Sequence, residues 1–247
     1  MALTTFKRYE KKYLITENQF QILNDHIENY LVSDKFNESG DPYKIYNIYF
    51  DTPDNQIICH SLSKPYYKEK LRLRSYGRIK NDEEMVFLEL KKKIGGIVCK
   101  RRAILSLKEA TEFLENNRMP KSSEYINNQV LKEINHFLNM HSVSPKVFIS
   151  YDRFAWFGKE DKDFRLTFDK NIFTRRFDID LKHGASGNPL ISNKEYLLEI
   201  KTSGAYPLWL AELLSTEKIF PQSFSKYGRE FQNFSTSRIS REVKQYA

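Results

Sequence analysis

Basic side chains recur at every second position in several short segments of this 247-residue chain. From Lys70 to Arg74, the two-residue period of a strand places Lys70, Arg72 and Arg74 on one face and two leucines on the other. Like charges on one face repel each other unless an anion lies between them. A phosphate chain suits such a row, because Arg binds phosphate oxygens in a bidentate manner and Lys acts as a point charge. The pattern therefore indicates binding of a polyanion.

The same alternation occurs in four further segments, which place on one face Glu89 with Lys91, Lys100 with Arg102, Arg165 with Asp169, and Glu199 with Lys201. A half-exposed sheet with its charged face in water is the common explanation of such alternation. Solvated faces, however, mix charges of both signs with Ser and Thr, whereas these faces hold basic rows with isolated carboxylates. The pattern favours a closed barrel with a polar interior and a covered apolar outer face.

The segments between turn signals predict the elements that would position these side chains. Alternating β-branched and aromatic residues predict strands at 46–50, 70–74, 86–91, 98–105, 147–153, 164–169 and 196–201. Capping boxes at Thr16 and Ser106 predict two helix starts, and apolar spacing predicts helices at 126–138 and after Pro207. We expect an α+β fold, a single domain over 1–247, in which helices surround a closed antiparallel β-barrel of about eight strands.

The composition limits the classes of partner and compartment. Lys and Arg number 40 against 32 Asp and Glu, and the formal net charge of +8 favours an anionic partner. The cysteines, Cys59 and Cys99, have no spacing typical of a zinc or redox site. No apolar segment approaches the roughly 20 residues that cross a bilayer, and the first residues lack the apolar core of a signal peptide. We expect a soluble, cytoplasmic protein without a transmembrane segment.

An ordered set of motifs along nearly the whole chain resembles the triphosphate tunnel metalloenzymes (the CYTH-like superfamily). Within them it is similar to the polyphosphate polymerase catalytic domain of the VTC (vacuolar transporter chaperone) family. The motifs are RYEKKY at 8–13, IYFD at 48–51, LRLRSYG at 71–77, FLELK at 87–91 and KRR at 100–102, followed by SYDRFA at 150–155, RLTFD at 165–169, LEIK at 198–201 and SFSKY at 223–227.

The resemblance implies a tunnel in which a phosphate chain is held by Lys12, Arg72, Arg74, Lys91, Lys100, Arg102, Arg153, Lys201 and Ser225. Glu199 would bind a divalent metal, Mn²⁺ or Mg²⁺, with Glu10 and Glu89 as further candidate ligands. Lys226 would lie at the phosphoryl group that is transferred, so Glu199 and Lys226 are the candidate catalytic residues. A divalent ion that neutralises phosphate oxygens, beside a basic row that orients the chain, suits phosphoryl transfer.

Several functions remain open at this point. The first is an ATP-dependent polyphosphate polymerase, with ATP and polyphosphate or triphosphate as partners. The second is an inorganic or nucleoside triphosphatase. The superfamily often has two alternating carboxylates before its first lysine, whereas this chain has Arg8, Glu10 and Lys12, which favours transfer over activation of water. A nucleic-acid-binding module lacks any recognisable motif, so no nucleic acid is expected, and a polyphosphate sensor without activity would keep the same basic row.

Three local predictions concern the backbone. Gly95 and Gly96 predict a tight hairpin turn. Asp51 is expected to cap a helix or a turn rather than to accept a phosphoryl group. The segment around Lys226 is expected to be a strand or a turn that directs Lys226 inward, with the flanking Phe224 and Tyr227 outside.

Overall fold

The structure, a computed structural model, describes residues 9–37, 40–122 and 124–245. In this part of the chain ten strands form one antiparallel sheet. They are β1 (Tyr9–Thr16), β2 (Leu31–Ser33), β3 (Tyr43–Asp51), β4 (Tyr67–Tyr76), β5 (Met85–Ile94), β6 (Ile97–Ser106), β7 (Ser144–Gly158), β8 (Arg165–Arg175), β9 (Asn188–Pro189) and β10 (Glu195–Thr202). Eight of them form a ladder in the order β1-β10-β8-β7-β3-β4-β5-β6, while β2 pairs with β7 and β9 with β8.

The ladder is strongly curved. Nζ of Lys91 in β5 lies 4.0 Å from the carboxylate of Glu10 in β1, although these strands lie near opposite ends of the ladder. Between the described residues of β1 and β6, however, no strand pairing is found. The fold is therefore a mixed α and β structure with an antiparallel sheet, and hydrogen bonds do not close this ladder into the predicted barrel.

Six helices lie among the described residues: α1 (Glu17–Tyr30), α2 (Gln56–Leu62), α3 (Leu107–Asn116), α4 (Tyr125–Met140), α5 (Leu208–Thr216) and α6 (Lys226–Gln245). The capping boxes predicted for the first and third of them are confirmed, since the hydroxyls of Thr16 and Ser106 each accept the backbone N–H three residues on. In the described part of the chain, none of these helices has both the length and the apolar character needed to span a membrane.

The helices cover the apolar outer face of the sheet. Leu71, Leu88 and Leu90 are fully buried in one apolar cluster that also contains residues of α3 and α4. A second cluster joins β1, β8 and β10 to α1 and α5. Because alternate residues of a strand point to opposite faces, this packing directs the charged partners of these leucines to the inner face. The predicted separation of apolar and basic residues is confirmed for these strands.

The turn between β5 and β6 consists of Gly95 and Gly96, as predicted. Both have positive φ, 54° and 92°, and the flanking Ile94 and Ile97 are paired. Two consecutive positive φ values are typical of the type I′ turn, which matches the twist of a hairpin and which glycine adopts without strain. This turn fixes the register that places Lys91 opposite Lys100 and Glu89 opposite Arg102.

Candidate active site

The concave side of the sheet carries a concentration of charged side chains, which we call the charged face. The described residues contribute ten cations to it, Lys12, Lys70, Arg72, Arg74, Lys91, Lys100, Arg102, Arg153, Lys201 and Lys226, and four carboxylates, Glu10, Glu89, Asp169 and Glu199. The ion pairs and hydrogen bonds among them link seven strands and the start of α6. The charged face includes every charged residue that the family resemblance suggested for the site, together with Lys70 and Asp169, which the alternation alone had indicated. Arg165, predicted on the same face as Asp169, pairs with Asp34 instead.

Glu89 forms a fully buried centre of ion pairs. Its oxygens lie 2.6 Å from Nε of Arg72, 3.0 Å from Nζ of Lys100 and 2.5 Å from a nitrogen of Arg102. Nε of Arg74 is 3.8 Å away. Burial alone would raise the pKa of Glu89, but these four cations hold it well below its usual range. Glu89 is therefore ionised and fixes the arginine side chains of β4 and β6 in one place.

Glu199 forms a second centre, with mostly lysine neighbours. Its carboxylate lies 3.0 Å from Lys201, 3.3 Å from Lys12 and 3.4 Å from Lys226. Burial alone would raise the pKa of Glu199, but these lysines keep it well below its usual range. Glu10 belongs to the same group, 3.4 Å from Lys12 and 3.9 Å from Lys201. Burial and Glu199 act to raise the pKa of Glu10, but the neighbouring lysines lower it to about 2.

Asp169 and Arg153 connect Lys226 to the sheet. Arg153 donates from Nε and from a terminal nitrogen to the two oxygens of Asp169, at 2.6 and 2.7 Å. Nζ of Lys226 donates to Asp169 at 2.5 Å and to Glu199 at 3.4 Å. Burial alone would lower the pKa of Lys226, but Asp169 and Glu199 raise it above its usual value. Lys226 is therefore a buried, charged ammonium group beside two carboxylates.

The backbone around Lys226 differs from the expectation. Lys226 is the first residue of helix α6 rather than part of a strand or turn. The Ser225 hydroxyl accepts the N–H of Gly228 at 3.2 Å, so Ser225 caps this helix. This cap and the backbone hydrogen bond from the N–H of Arg229 to the carbonyl of Ser225, at 2.7 Å, fix the backbone on both sides of Lys226.

The expected outward position of Tyr227 is wrong. This side chain is only 1% exposed, and its hydroxyl donates to Asp51 at 2.8 Å. Asp51 also accepts the backbone N–H groups of Ile57 and Ile58 at the start of α2, which confirms the predicted capping role. One buried carboxylate thus ties the start of α2 to the start of α6, and thereby to Lys226.

Lys70 is the member of the charged face that has no carboxylate partner among the described residues. Its Nζ lies 3.4 Å from Oγ of Ser225 and 5.9 Å from the centre of the Tyr227 ring. Burial, together with the charges of Lys68 and Lys91, lowers the pKa of Lys70 to about 8. Its position in the same alternating row as Arg72 was the signal in the sequence that marked it.

Tyr49 contacts both Arg72 and Tyr227. Its hydroxyl accepts a hydrogen bond from Arg72 at 3.2 Å, and its ring stacks on Tyr227 with centroids 5.1 Å apart. Burial alone would raise the pKa of Tyr49, but Arg72 and Arg74 lower it to about 8. Nothing in the sequence near Tyr49 distinguished it from a core tyrosine, because the effect depends on side chains from another strand.

The donor set for a divalent metal is limited to carboxylates. Among the described residues no three His, Cys, Asp or Glu side chains form a group that could hold an ion. Glu199 and Glu10 share Lys12 and Lys201 as neighbours and offer oxygen ligands of the kind that Mg²⁺ and Mn²⁺ prefer. One or two carboxylates are enough where substrate phosphates complete the shell. The residues present therefore fit a metal that arrives with a phosphate chain.

The comparison with known structures shows the fold. A structure from Bacillus halodurans described as a "putative adenylate cyclase" aligns with 90% of this chain and 96% of its own, with 17% identity and a TM-score of 0.54. A second, from Vibrio parahaemolyticus and described in the same words, aligns with 91% of this chain and 98% of its own, with 11% identity and a TM-score of 0.45. No curated protein matches the sequence significantly.

The comparison with protein families gives a match over nearly the whole length. The VTC domain profile matches residues 7–234, a range that spans the charged face from Glu10 to Lys226. The resemblance seen in the motifs is thereby confirmed, and this chain belongs to the VTC domain family.

Proposed function

We propose that this protein is an ATP-dependent polyphosphate polymerase that works in a tunnel lined by the charged face. The fold and the family support phosphoryl transfer on phosphate chains. The observation that carries the proposal is the position of Lys226, a buried ammonium group on a helix start that faces Asp169 and Glu199. The ten cations outnumber the four carboxylates, so an anion with several charges would neutralise the excess positive charge of the face.

The two carboxylate centres support a division of labour. Glu89 is held mostly by arginines, whose rigid guanidinium groups stay in place and present their remaining N–H groups to phosphate oxygens. Glu199 is held mostly by lysines, whose flexible stems allow the ammonium groups to move onto an incoming phosphate chain. On this proposal the Glu89 centre positions the chain. The Glu199 centre, with Lys226, surrounds the phosphoryl group that is transferred.

The reaction proposed is an in-line displacement. A terminal oxygen of the acceptor chain attacks the γ-phosphorus of ATP, the bond from that phosphorus to the β,γ-bridging oxygen breaks, and ADP leaves with the electron pair. The acceptor grows by one phosphate. Lys226 stabilises the negative charge that is redistributed among the oxygens of the transferred group. This stabilisation of the transition state is larger in a buried site than in water.

A divalent metal fits beside Glu199 and Glu10 once the lysines have moved onto phosphate. It would supply charge neutralisation at the phosphate oxygens. Glu89 is less suited to this role, because its four cations are mostly arginines and its side chain is fully buried. The metal ligands that we propose are therefore Glu199 and Glu10.

The test is product analysis of purified protein with ATP and Mn²⁺. Long-chain polyphosphate, resolved from free phosphate on a gel and sensitive to an exopolyphosphatase, is the expected product. Lys226→Ala and Glu199→Ala should each abolish it. Lys182→Ala, which removes a lysine paired with Asp82 away from the charged face, should not. Release of free phosphate alone would identify a triphosphatase, and binding of tripolyphosphate without turnover would identify a sensor.

A further inference from the structure

Four aromatic side chains gather at one end of the charged face, and we call them the rim aromatic cluster: Phe36, Tyr43, Tyr76 and Phe87. They come from the segment after β2, the first residue of β3, the last residue of β4 and the third residue of β5. The rings of Phe36 and Tyr76 are nearly parallel, with an angle of 4° between their planes and centroids 5.8 Å apart.

The rim aromatic cluster is not a buried core. Phe36 is 51% exposed and Tyr76 is 37% exposed, so part of each side chain remains in contact with solvent. The main apolar clusters of the protein, by contrast, are made of buried side chains. Exposed aromatic rings gain stability by covering their faces with a planar partner. The exposed parts of these two side chains are therefore accessible to a planar ligand.

The rim aromatic cluster is continuous with the charged face through Arg102. Its guanidinium lies 4.5 Å from the centre of the Phe87 ring and donates to the Tyr76 hydroxyl at 3.1 Å, while it also pairs with Glu89. Burial alone would raise the pKa of Tyr76, but Arg74 and Arg102 lower it below its usual value. A ligand whose phosphates lie on these arginines would thus have its other end beside Tyr76.

We propose that the rim aromatic cluster is a nucleobase-stacking site, which takes the base of a nucleoside triphosphate whose phosphates extend along the charged face. This inference rests on the proposed function, which makes ATP the donor. Aromatic rings beside cations bind bases by stacking and by cation–π contacts, and Lys35 lies 5.0 Å from the centre of the Phe36 ring. The site distinguishes the donor, which has a base, from the acceptor chain, which has none.

The experiment compares two ligands that differ in the nucleoside. Calorimetry measures the affinity of ATP and of inorganic tripolyphosphate for the full chain and for Phe36→Ala. Stacking of a base on an aromatic ring is worth about 5- to 150-fold in affinity. Phe36→Ala should lower the affinity for ATP by about that factor and leave the affinity for tripolyphosphate within about twofold of the wild-type value. Phe36→Trp should retain ATP binding, and Tyr125→Ala, an exposed aromatic of α4, should change neither ligand.

The outcomes separate this inference from the proposed function. An equal loss for both ligands in Phe36→Ala, or no loss for either, overturns base stacking and leaves phosphate-chain binding intact. If wild-type protein binds neither ligand, both the proposed function and the stacking site are wrong. A second readout is base preference: ATP and GTP should bind more tightly than CTP and UTP, because purines have the larger stacking surface. Phe36→Ala should reduce that preference.

Discussion

At the residue scale, Glu89 and Glu199 have the same number of basic neighbours but neighbours of different kinds. Three of the cations around Glu89 are arginines, whereas three of those around Glu199 are lysines. A guanidinium in a bidentate or forked arrangement is preorganised, but an ammonium on a flexible stem can exchange partners. The two carboxylates should therefore respond differently to substitution.

Glu89→Gln should destabilise the ligand-free protein by about 3–5 kcal/mol at low salt, because it leaves several buried cations without a carboxylate. Tripolyphosphate should restore much of this loss, since the anion replaces the missing charge. Urea unfolding with and without tripolyphosphate measures both effects. The control is Glu133→Gln, which breaks partly exposed pairs with Lys92 and Arg101 and should cost no more than about 1 kcal/mol.

Two results would contradict this role of Glu89. One is a stability loss as small as that of Glu133→Gln. The other is a loss of turnover that raised Mn²⁺ restores, because that result would identify Glu89 as a metal ligand.

Lys70 should make phosphate-chain affinity depend on pH. Its pKa of about 8 means that the ammonium form dominates at pH 7 and is lost as the pH rises towards 9. Tripolyphosphate affinity should therefore fall over this range, and binding near pH 8 should take up a proton, because the bound anion favours the charged form. Lys70→Met should weaken binding at pH 7 by about 1.5–3 kcal/mol, the usual value of a charged hydrogen bond, and flatten the profile.

Calorimetry in two buffers of different ionisation enthalpy measures both the affinity and the proton uptake. Lys182→Met should keep the wild-type profile. The tripolyphosphate affinity of Lys70→Met should still depend on pH between 6 and 8, because burial lowers the pKa of Lys100 to about 7. A Lys70→Met profile identical to the wild-type one would remove Lys70 from the phosphate-binding set.

At the element scale, the start of α6 is the part of the structure that brings Lys226 to the sheet. Three contacts hold it: the cap by Ser225, the hydrogen bond from Tyr227 to Asp51, and the bidentate pair between Arg176 and Glu230. The close approach of α6 to α2 also favours Gly228, since a Cβ there would come within 3.1 Å of the Leu62 side chain, which would have to shift by a few tenths of an ångström. The position of Lys226 thus depends on packing between two helices.

Tyr227→Phe removes one of these contacts without changing the ring. It should cost about 1–3 kcal/mol of stability, because the Asp51 carboxylate loses a buried hydrogen bond. It should also lower kcat more than it raises the KM for ATP, because Lys226 is then held less firmly. Tyr13→Phe is the matched control, since it removes a hydroxyl that bonds Tyr206 at 3.0 Å beside the apolar cluster of α1 and α5. An equal fall of kcat in both variants would argue against a positioning role for Tyr227.

The elements that follow a simple period were predictable from the sequence. The leucines of β4 and β5 alternate strictly with charged residues, so both the strands and their inner faces followed from the pattern. Strand β1 was not predicted, because charged residues at 10–12 occupy both phases and hide the alternation. The strands β2 and β9 have three and two residues, which is too short for a period.

The rest of the site depends on contacts that are distant in sequence. The ion pair between Lys226 and Asp169 joins positions 57 apart, and no local pattern encodes it. The start of α6 was missed because Gly228 stands where a capping box would have Glu or Gln. Helix α2 was missed for a related reason: Asn55 at its start makes no cap with its side chain, and the N–H groups of Ile57 and Ile58 reach back to Asp51 instead.

At the scale of the whole molecule, the charged face makes the ligand-free protein electrostatically strained. Ten cations and four carboxylates lie on one concave face, and burial and neighbouring cations lower the pKa values of Lys70, Lys91 and Lys100. A multivalent anion relieves this repulsion, because each of its charges interacts with more than one cation. Binding should therefore be coupled to stability.

Tripolyphosphate at about 100 times its dissociation constant should stabilise the protein by about 2.7 kcal/mol, which corresponds to a rise in Tm of roughly 5–10 °C for a chain of this size. The rise should shrink as salt increases from low to high concentration, because salt screens the repulsion in the ligand-free state and competes with the phosphate chain. Pyrophosphate should give a smaller rise in Tm, and orthophosphate at the same total charge should give almost none, because a shorter anion interacts with fewer of the cations at once. Thermal unfolding followed by circular dichroism across these ligands measures the dependence on chain length. Equal shifts for orthophosphate and tripolyphosphate would mean that the face binds phosphates singly, and an extended chain would then not be its ligand.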